Sequence, residues 1–268
     1  MAEEEAVFIP ERETVVEDPL EIPLVCEYPV FLDTGSNFKE AVGWKAITES
    51  ITNRPLSIVS QRYSVVQHRE VAAEVVGYCE QRGYGIVRMM LLQSGRKLMI
   101  EVKSGDMVEI DGDEIEKRCL VYNSYNTSKA LSVLTAGMRL VCSNGLVAPG
   151  FVERLRKVHV FKFFEIAKIN QTIEAGFKAW DVSQDVLERA VNTMASTDKV
   201  LEFVKLPETY LKLAKERLAP RENLNEIWNC LTQILTHETG CGVNTTIEYY
   251  KEANKVFQFL PKEVINSH

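Results

Sequence analysis

Few side chains in this sequence are placed to do nucleophilic chemistry. Cys142 lies in an apolar run, and His159 and His237 are the only histidines that we consider as its base. A cysteine nucleophile needs such a base within hydrogen-bond reach, whereas burial in an apolar strand raises the pKa of a thiol and makes it inert. A cysteine-dependent hydrolase is therefore the second alternative, after two hypotheses that involve no catalysis.

Patterns that would hold a metal ion or a nucleotide are missing from the sequence. The six cysteines form no CxxC pair, and neither GxGxxG nor GxxxxGK followed by Ser or Thr occurs. Zinc sites usually need closely spaced ligands, and those glycine-rich loops hold nucleotide phosphates. Asp111-Gly112-Asp113 lacks the twelve-residue ligand pattern of a calcium loop. We expect no metal, no cofactor, and reduced thiols in a cytoplasmic protein.

One segment alternates basic and aromatic side chains. Phe161, Phe163 and Phe164 interleave with five bases, opposed only by Glu153 and Glu165. The bases are Arg154, Arg156, Lys157, Lys162 and Lys168. Single-stranded nucleic acid is held by such segments, because cations follow the phosphates while rings stack on the bases. In the alternative interpretation, these phenylalanines are core residues at a strand-to-helix junction.

Lys129, Arg139 and Asn144 are the other candidates for binding an anion such as phosphate. Asn144-Gly145 is predicted to form a tight turn before a helix, where backbone amides would help to bind the anion. Alternatively, Asn123, Arg139 and Asn144 join the sheet to the helices by hydrogen bonds. The bases of the predicted hairpins are expected to extend the same surface; they are Arg88, Arg96, Lys97 and Lys103.

The net charge of −7 is concentrated at the N-terminus. Residues 1–24 hold eight acids and one base, so the remaining residues carry no net charge. Because this segment also contains Pro10, Pro19 and Pro23, we expect an extended, mobile arm. The arm either serves solubility or competes with nucleic acid for a basic face of the body.

The hydrophobic pattern predicts an α+β fold whose core is an antiparallel β-meander with a packed helix. Apolar residues recur at helical spacing over 67–83, with Gly83 at the expected end. Short β-rich runs follow, joined at Ser94-Gly95 and Asp111-Gly112, both typical of hairpins. Leu56–Ser60, Tyr63–Val66 and Leu131–Cys142 are further predicted strands.

From about residue 161 the pattern turns helical. Helices are predicted over Phe161–Ala179, Val186–Val204, Pro207–Leu218, Leu224–His237 and Thr245–Phe257. We therefore divide the chain into an arm (1–24), an α+β core (25–150) and a helical extension packed on that core (151–268).

Two motifs resemble a known family. The first runs from Asn123-Ser124 through a strand to Cys142 and Gly145, and the second joins Trp228 and Asn229 to His237. Tyr63-Ser64-Val65-Val66-Gln67 followed by Glu70 also resembles the opening motif of that family. The order and spacing are similar to the phage/plasmid-like protein family described as a domain of unknown function, of the 932 type. The turn 125–127 departs from it, since Tyr-Asn-Thr stands where members tend to have His-Asp-Gly.

The resemblance implies a mobile-element context and no established enzymatic activity. Our leading hypothesis is a non-enzymatic, nucleic-acid-associated protein that favours single-stranded DNA and acts in annealing during recombination or replication. A homo-oligomer is expected, and no membrane partner, since no run of eighteen apolar residues occurs. The alternative is a protein-interaction module, such as an inhibitor of a host defence system, whose acidic arm occupies a host protein's basic cleft.

Overall fold

The computed structural model describes residues 13–128, 131–139, 144–147, 168–241 and 243–261. Within them the chain forms two compact units that alternate along the sequence. Unit 1 comprises residues 13–102, 120–128, 131–133 and 168–172. Unit 2 comprises residues 103–119, 134–139, 144–147, 173–241 and 243–261. Both units therefore draw residues from before and after position 150.

The strands are numbered along the chain. They are β1 (Thr14–Val16), β2 (Val25–Asp33), β3 (Phe38–Glu49), β4 (Pro55–Ser60), β5 (Gly85–Leu92), β6 (Lys97–Ile110), β7 (Asp113–Ser124), β8 (Ser132–Arg139), β9 (Asn144–Val147), β10 (Met194–Ser196) and β11 (Arg221–Asn223). The described helices are α1 (His68–Arg82), α2 (Lys168–Lys178), α3 (Trp180–Val191), α4 (Thr197–Phe203), α5 (Glu208–Arg217), α6 (Leu224–His237) and α7 (Val243–Ala253).

The larger sheet confirms the predicted antiparallel meander, because β5 to β9 are neighbours in chain order and β1 is added beside β5. Asp111 and Gly112 both have positive φ, 53° and 80°. A two-residue turn with that backbone matches the twist of the strands it joins. Ser94 also has a positive φ in the turn between β5 and β6, so both predicted connections are observed.

Helix α1 begins and ends where the sequence predicts. Its apolar stripe is buried, and Gly83 adopts a left-handed conformation with φ 72° while its N–H donates to the carbonyl of Cys79. A residue without Cβ is favoured at such a helix end. The prediction of a strand over Tyr63–Val66 is wrong. The N–H of Tyr63 donates to Ser60 O in a turn, and the following residues reach α1 without joining a ladder.

A second sheet of three strands, in the order β2-β3-β4, lies in unit 1. Strand β4 confirms the prediction at Leu56–Ser60, whereas β2 and β3 were not predicted. Strand β4 reaches along β3 only from Thr48 to Trp44. Beyond that point β2 and β3 continue alone, with a bulge between Pro29 and Phe31. The end of this hairpin is therefore a two-stranded ribbon.

The helices of unit 2 form around buried aromatic side chains. Helix α6 has the predicted bounds, and Asn223 caps it by accepting a hydrogen bond from the N–H of Glu226 at 2.8 Å. The single helix predicted over Val186–Val204 is wrong, because α3 ends at Val191 and β10 pairs with β11 before α4 begins. None of the helices in the described ranges has the length and apolar character needed to cross a membrane.

The predicted mobile arm needs correction over its second half. Val15 is paired with Met90 in the sheet, and Ile22 is buried. Since Thr14–Val16 form strand β1, residues 13–24 belong to the fold of unit 1. Residues 1–12 lie outside the described part of the chain.

Candidate functional site

The first family-like motif ends β7 and lies against the segment that leads into α1. Asn123 is completely buried, and its Nδ2 donates to the carbonyl of Val66 at 2.8 Å. The same nitrogen lies 2.9 Å from Nδ1 of His68. An amide NH₂ has two hydrogens and can serve both acceptors when Nδ1 of the histidine is unprotonated. Asn123 therefore joins the sheet to the first turn of α1.

Two tyrosines complete this buried polar cluster. The ring of Tyr125 stacks on His68 at 3.7 Å, and its hydroxyl accepts the backbone N–H of His68 at 2.7 Å. The hydroxyl of Tyr63 donates to the carbonyl of Ser124 at 2.6 Å. Burial raises the pKa of both phenols above their ordinary value, because the charged form would lose its hydration. Both tyrosines are thus neutral hydrogen-bonding groups.

The side chain of Gln67 takes the place of a strand partner for β2. Its Oε1 accepts the N–H of Val25 and its Nε2 donates to the carbonyl of Val25, both at 3.0 Å. Arg69 adds a hydrogen bond from Nε to the carbonyl of Ile22 at 2.7 Å. The start of α1 therefore holds the N-terminal segment and the first residue of β2.

The cluster has the properties of a structural junction. The pocket beside it, lined among others by His68, Tyr125 and Glu49, offers only about 10 Å³ to the centre of a water-sized sphere, which is room for about one water molecule. A small-molecule site needs far more room than that. Sequence reasoning singled out Asn123 and Ser124 but did not include His68 among the candidate residues. The opening motif over residues 63–67 was the available signal for these partners.

The second family-like motif lies on α6 in unit 2. Trp228 is completely buried, and its Nε1 donates to Oδ1 of Asn254 at 2.9 Å. Asn225 is also completely buried, yet neither amide atom has a hydrogen-bond partner among the described residues, and the same holds for Oδ1 of Asn229. His237 is the last residue of α6 and is exposed. Helix α6 packs against β9, so this motif lies beside the strand that contains Asn144 and Gly145.

The structure places Arg139 and Asn144 on neighbouring strands. They are opposite each other in the β8–β9 ladder, and Gly145 is opposite Met138. The prediction that Asn144-Gly145 forms a turn before a helix is wrong, because both residues belong to β9. The other predicted binding residues lie outside the described residues; they are Lys129, Arg154, Arg156, Lys157 and Lys162. Cys142 also lies there.

The hairpin bases do not extend a basic surface as expected. Nε of Arg88 lies 2.7 Å from a carboxylate oxygen of Glu101, and Nζ of Lys103 lies 3.4 Å from Glu116. Lys97 is buried. Of the four predicted bases, Arg96 is exposed without an ion pair in the described residues. Paired cations contribute little net charge for phosphates to follow.

Two buried thiols of the described residues, those of Cys79 and Cys230, are poor nucleophiles. Burial, with a smaller contribution from Glu80, raises the pKa of Cys79 to about 12. Burial raises the pKa of Cys230 to about 11, although Arg217 opposes the shift. A thiol reacts as its thiolate, so both are unreactive near neutral pH. No group of three metal-ligating side chains occurs among the residues that the structure describes.

Comparison with known proteins gives one match. The family model described as a domain of unknown function (DUF932) matches residues 55–257. The matched range begins at the first residue of β4 and includes both motifs. No curated protein and no solved structure matches the chain.

Proposed function

The chain belongs to the family described as a domain of unknown function (DUF932), and from that premise we propose a non-enzymatic protein that binds single-stranded nucleic acid. Its role would be to hold or anneal strands during recombination or replication of a mobile element. Single-stranded DNA is the favoured ligand, and the cytoplasm is the proposed compartment.

The observation that carries the proposal is the charge of residues 151–168. Five bases against two acids give this segment a net charge of +3, whereas residues 25–268 carry none. Three phenylalanines alternate with these bases. Salt-dependent attraction to phosphates and stacking on bases are the two contributions that non-specific single-strand binding requires.

The chemistry of the described residues supports a role without catalysis. The Asn123–His68–Tyr125 cluster uses its polar groups to join chain segments, and the phenols are held neutral. The buried thiols of Cys79 and Cys230 are held protonated. The cysteine-hydrolase alternative rests on Cys142 alone, and full biological activity of Cys142→Ala would eliminate it.

The direct test is fluorescence anisotropy with a labelled single-stranded oligonucleotide across a salt series. The triple variant Arg154→Ala/Arg156→Ala/Lys157→Ala is expected to bind at least about tenfold more weakly at low salt. Because each lost phosphate contact lowers the salt slope by about 0.7 on single strands, the slope should fall by about 2. Unchanged binding in the triple variant would refute the proposed surface.

A matched control removes three exposed lysines elsewhere: Lys199, Lys205 and Lys212. Replacing all three by alanine changes the net charge equally and should leave the affinity within about twofold. An equal loss in both triples would show that binding follows overall charge and not residues 154–157.

The role of the acidic N-terminus is tested by deleting residues 1–12 only. A deletion of 1–24 would also remove β1 and the buried Ile22, so it would disturb the fold of unit 1. If the acids compete with nucleic acid, the shorter deletion strengthens oligonucleotide binding.

The second candidate function is a protein-interaction module, and one observation favours it. Glu13, Glu17, Asp18 and Glu21 are exposed around the anchored strand β1, which presents their carboxylates on a fixed support. A basic cleft of a host protein is the chemistry that such a surface fits. Loss of host-protein binding on substitution of these four acids by Gln or Asn, with no change in oligonucleotide binding, would favour this candidate.

A further inference from the structure

The three-stranded sheet exposes a dense group of large apolar side chains. Those more than two-fifths exposed are Tyr28, Phe31, Leu32, Phe38, Val42, Trp44 and Ile58. Phe38 and Val42 are the extreme cases, at 72% and 87% exposure. Contiguous apolar patches above a few hundred Å² on a protein surface usually mark an interaction site.

The distal part of the hairpin is exposed on both of its sides. We call residues 31–33 and 38–42 the ribbon; in it β2 and β3 pair only with each other. Phe31 and Leu32 are consecutive, so they point to opposite faces, yet both are more than half exposed. A two-stranded hairpin is marginally stable in water unless something packs on it. A covering partner would therefore stabilise the ribbon.

The charges around the ribbon disfavour a nucleic acid as that partner. Residues 25–60 contain four acids and three bases. Lys45 is ion-paired with Glu27 at 2.6 Å, and Arg54 with Glu49 at 3.2 Å. A strand of phosphates needs a track of available cations, and this near-neutral, apolar surface instead fits a protein surface of the same character.

We propose that the ribbon and the adjoining face of the three-stranded sheet bind a second copy of this chain. The exposed parts of the seven side chains, which lie on both faces of the ribbon, amount to roughly 800 Å², since an aromatic side chain carries about 150–250 Å² and an aliphatic one somewhat less. A stable interface of standard size buries about 800 Å² per partner. The surface of one copy thus supplies the area that a symmetric dimer requires.

The inference does not depend on nucleic-acid binding. Strands β2 and β3 precede residue 55, where the match to the family model begins. The segment that we propose to bind single-stranded nucleic acid, residues 151–168, lies elsewhere in the sequence. Self-association and oligonucleotide binding can therefore be lost separately.

Sedimentation velocity on the full chain tests the proposal. The wild type is expected to sediment as a dimer or a larger species. Val42→Lys places a charge in the apolar surface, and its dissociation constant should rise at least about tenfold. Val182→Lys is the matched control, because Val182 is an exposed valine of helix α3 and should not affect the assembly. Circular dichroism of both variants checks that they remain folded.

Phe38→Ser gives a second, less drastic variant at the ribbon. It removes apolar area without adding charge, so it should also weaken the dimer while oligonucleotide binding is unchanged. A monomeric wild type at every concentration, or dimers that persist in folded Val42→Lys, would overturn the proposal. If the wild type is monomeric and Phe38→Ser loses oligonucleotide binding, the ribbon is instead a surface on which nucleic-acid bases stack.

Discussion

Two completely buried asparagines, one in each unit, are used in opposite ways. The Nδ2 of Asn123 donates to Val66 and contacts His68, so it links β7 to α1, although its Oδ1 has no hydrogen-bond partner among the described residues. Asn225 on α6 makes no hydrogen bond with either amide atom in the part of the chain that the structure describes. Leaving a buried amide without partners costs about 1–3 kcal/mol. The first amide therefore stabilises its unit, whereas the second is a penalty that the packing around α6 must offset.

The largest effect is expected at Asn123. Asn123→Leu removes the donor to the Val66 carbonyl and the contact with His68. The free energy of unfolding should fall by about 2–3 kcal/mol, because a buried carbonyl is left without its partner. Urea unfolding followed by circular dichroism measures it. A loss below about 0.5 kcal/mol would show that the cluster does not stabilise unit 1.

The contribution of Tyr63 to the stability of the same buried cluster should depend on pH. Tyr63→Phe removes the 2.6 Å hydrogen bond to Ser124 and should cost about 1 kcal/mol at pH 7. The folded-state pKa of Tyr63 is raised above the unfolded value of 10.0 by burial. Its contribution is therefore complete below pH 10 and is lost as the pH rises above that value.

The stability difference between wild type and Tyr63→Phe should consequently narrow in alkaline solution. Urea midpoints for both proteins at pH 7 and above pH 10 give the comparison. A difference that grows with pH would contradict a neutral, buried phenol at position 63.

The smallest effect is expected at Asn225. Asn225→Leu removes an amide without a hydrogen bond in the described residues, and this gain is offset by the cost of fitting a larger side chain, so the free energy of unfolding should stay within about 1 kcal/mol of the wild type. The same substitution at Asn123 is the matched control, since both add similar volume at a completely buried site. If both substitutions lowered the free energy of unfolding equally, the two amides would not differ in their contribution to stability.

Local signals explain which parts of the fold were predictable. Asp111-Gly112 specifies its turn by positive φ, and Gly83 ends α1 for the same reason, so short-range chemistry was sufficient there. Strands β2 and β3 were missed because the bulge after Pro29 and exposed apolar residues on both sides break the usual alternation. The fold class followed from periodicity, but the two interleaved units did not.

The candidate site was less predictable, because its contacts join distant residues. Asn123 was chosen from its motif, yet its partner His68 lies 55 residues away. Asn144 has the residue type of a turn or helix cap, but pairing with Arg139 places it in a strand. Hydrogen bonds between strands overrode the local preference in that case.

The two hydrogen bonds between the Gln67 side chain and the backbone of Val25 limit how copies of the chain can assemble. The carbonyl of Leu24 binds Ser50 in the direction of β3, so the polar groups of Val25 point to the outer edge of β2, where Gln67 occupies both. Pro29 lies four residues further along and has no N–H to offer. The outer edge of β2 is thus closed to strand addition at both positions. In the dimer that we propose, copies would meet through side chains without pairing at these two positions, which disfavours the strand-by-strand growth of fibrils along this edge.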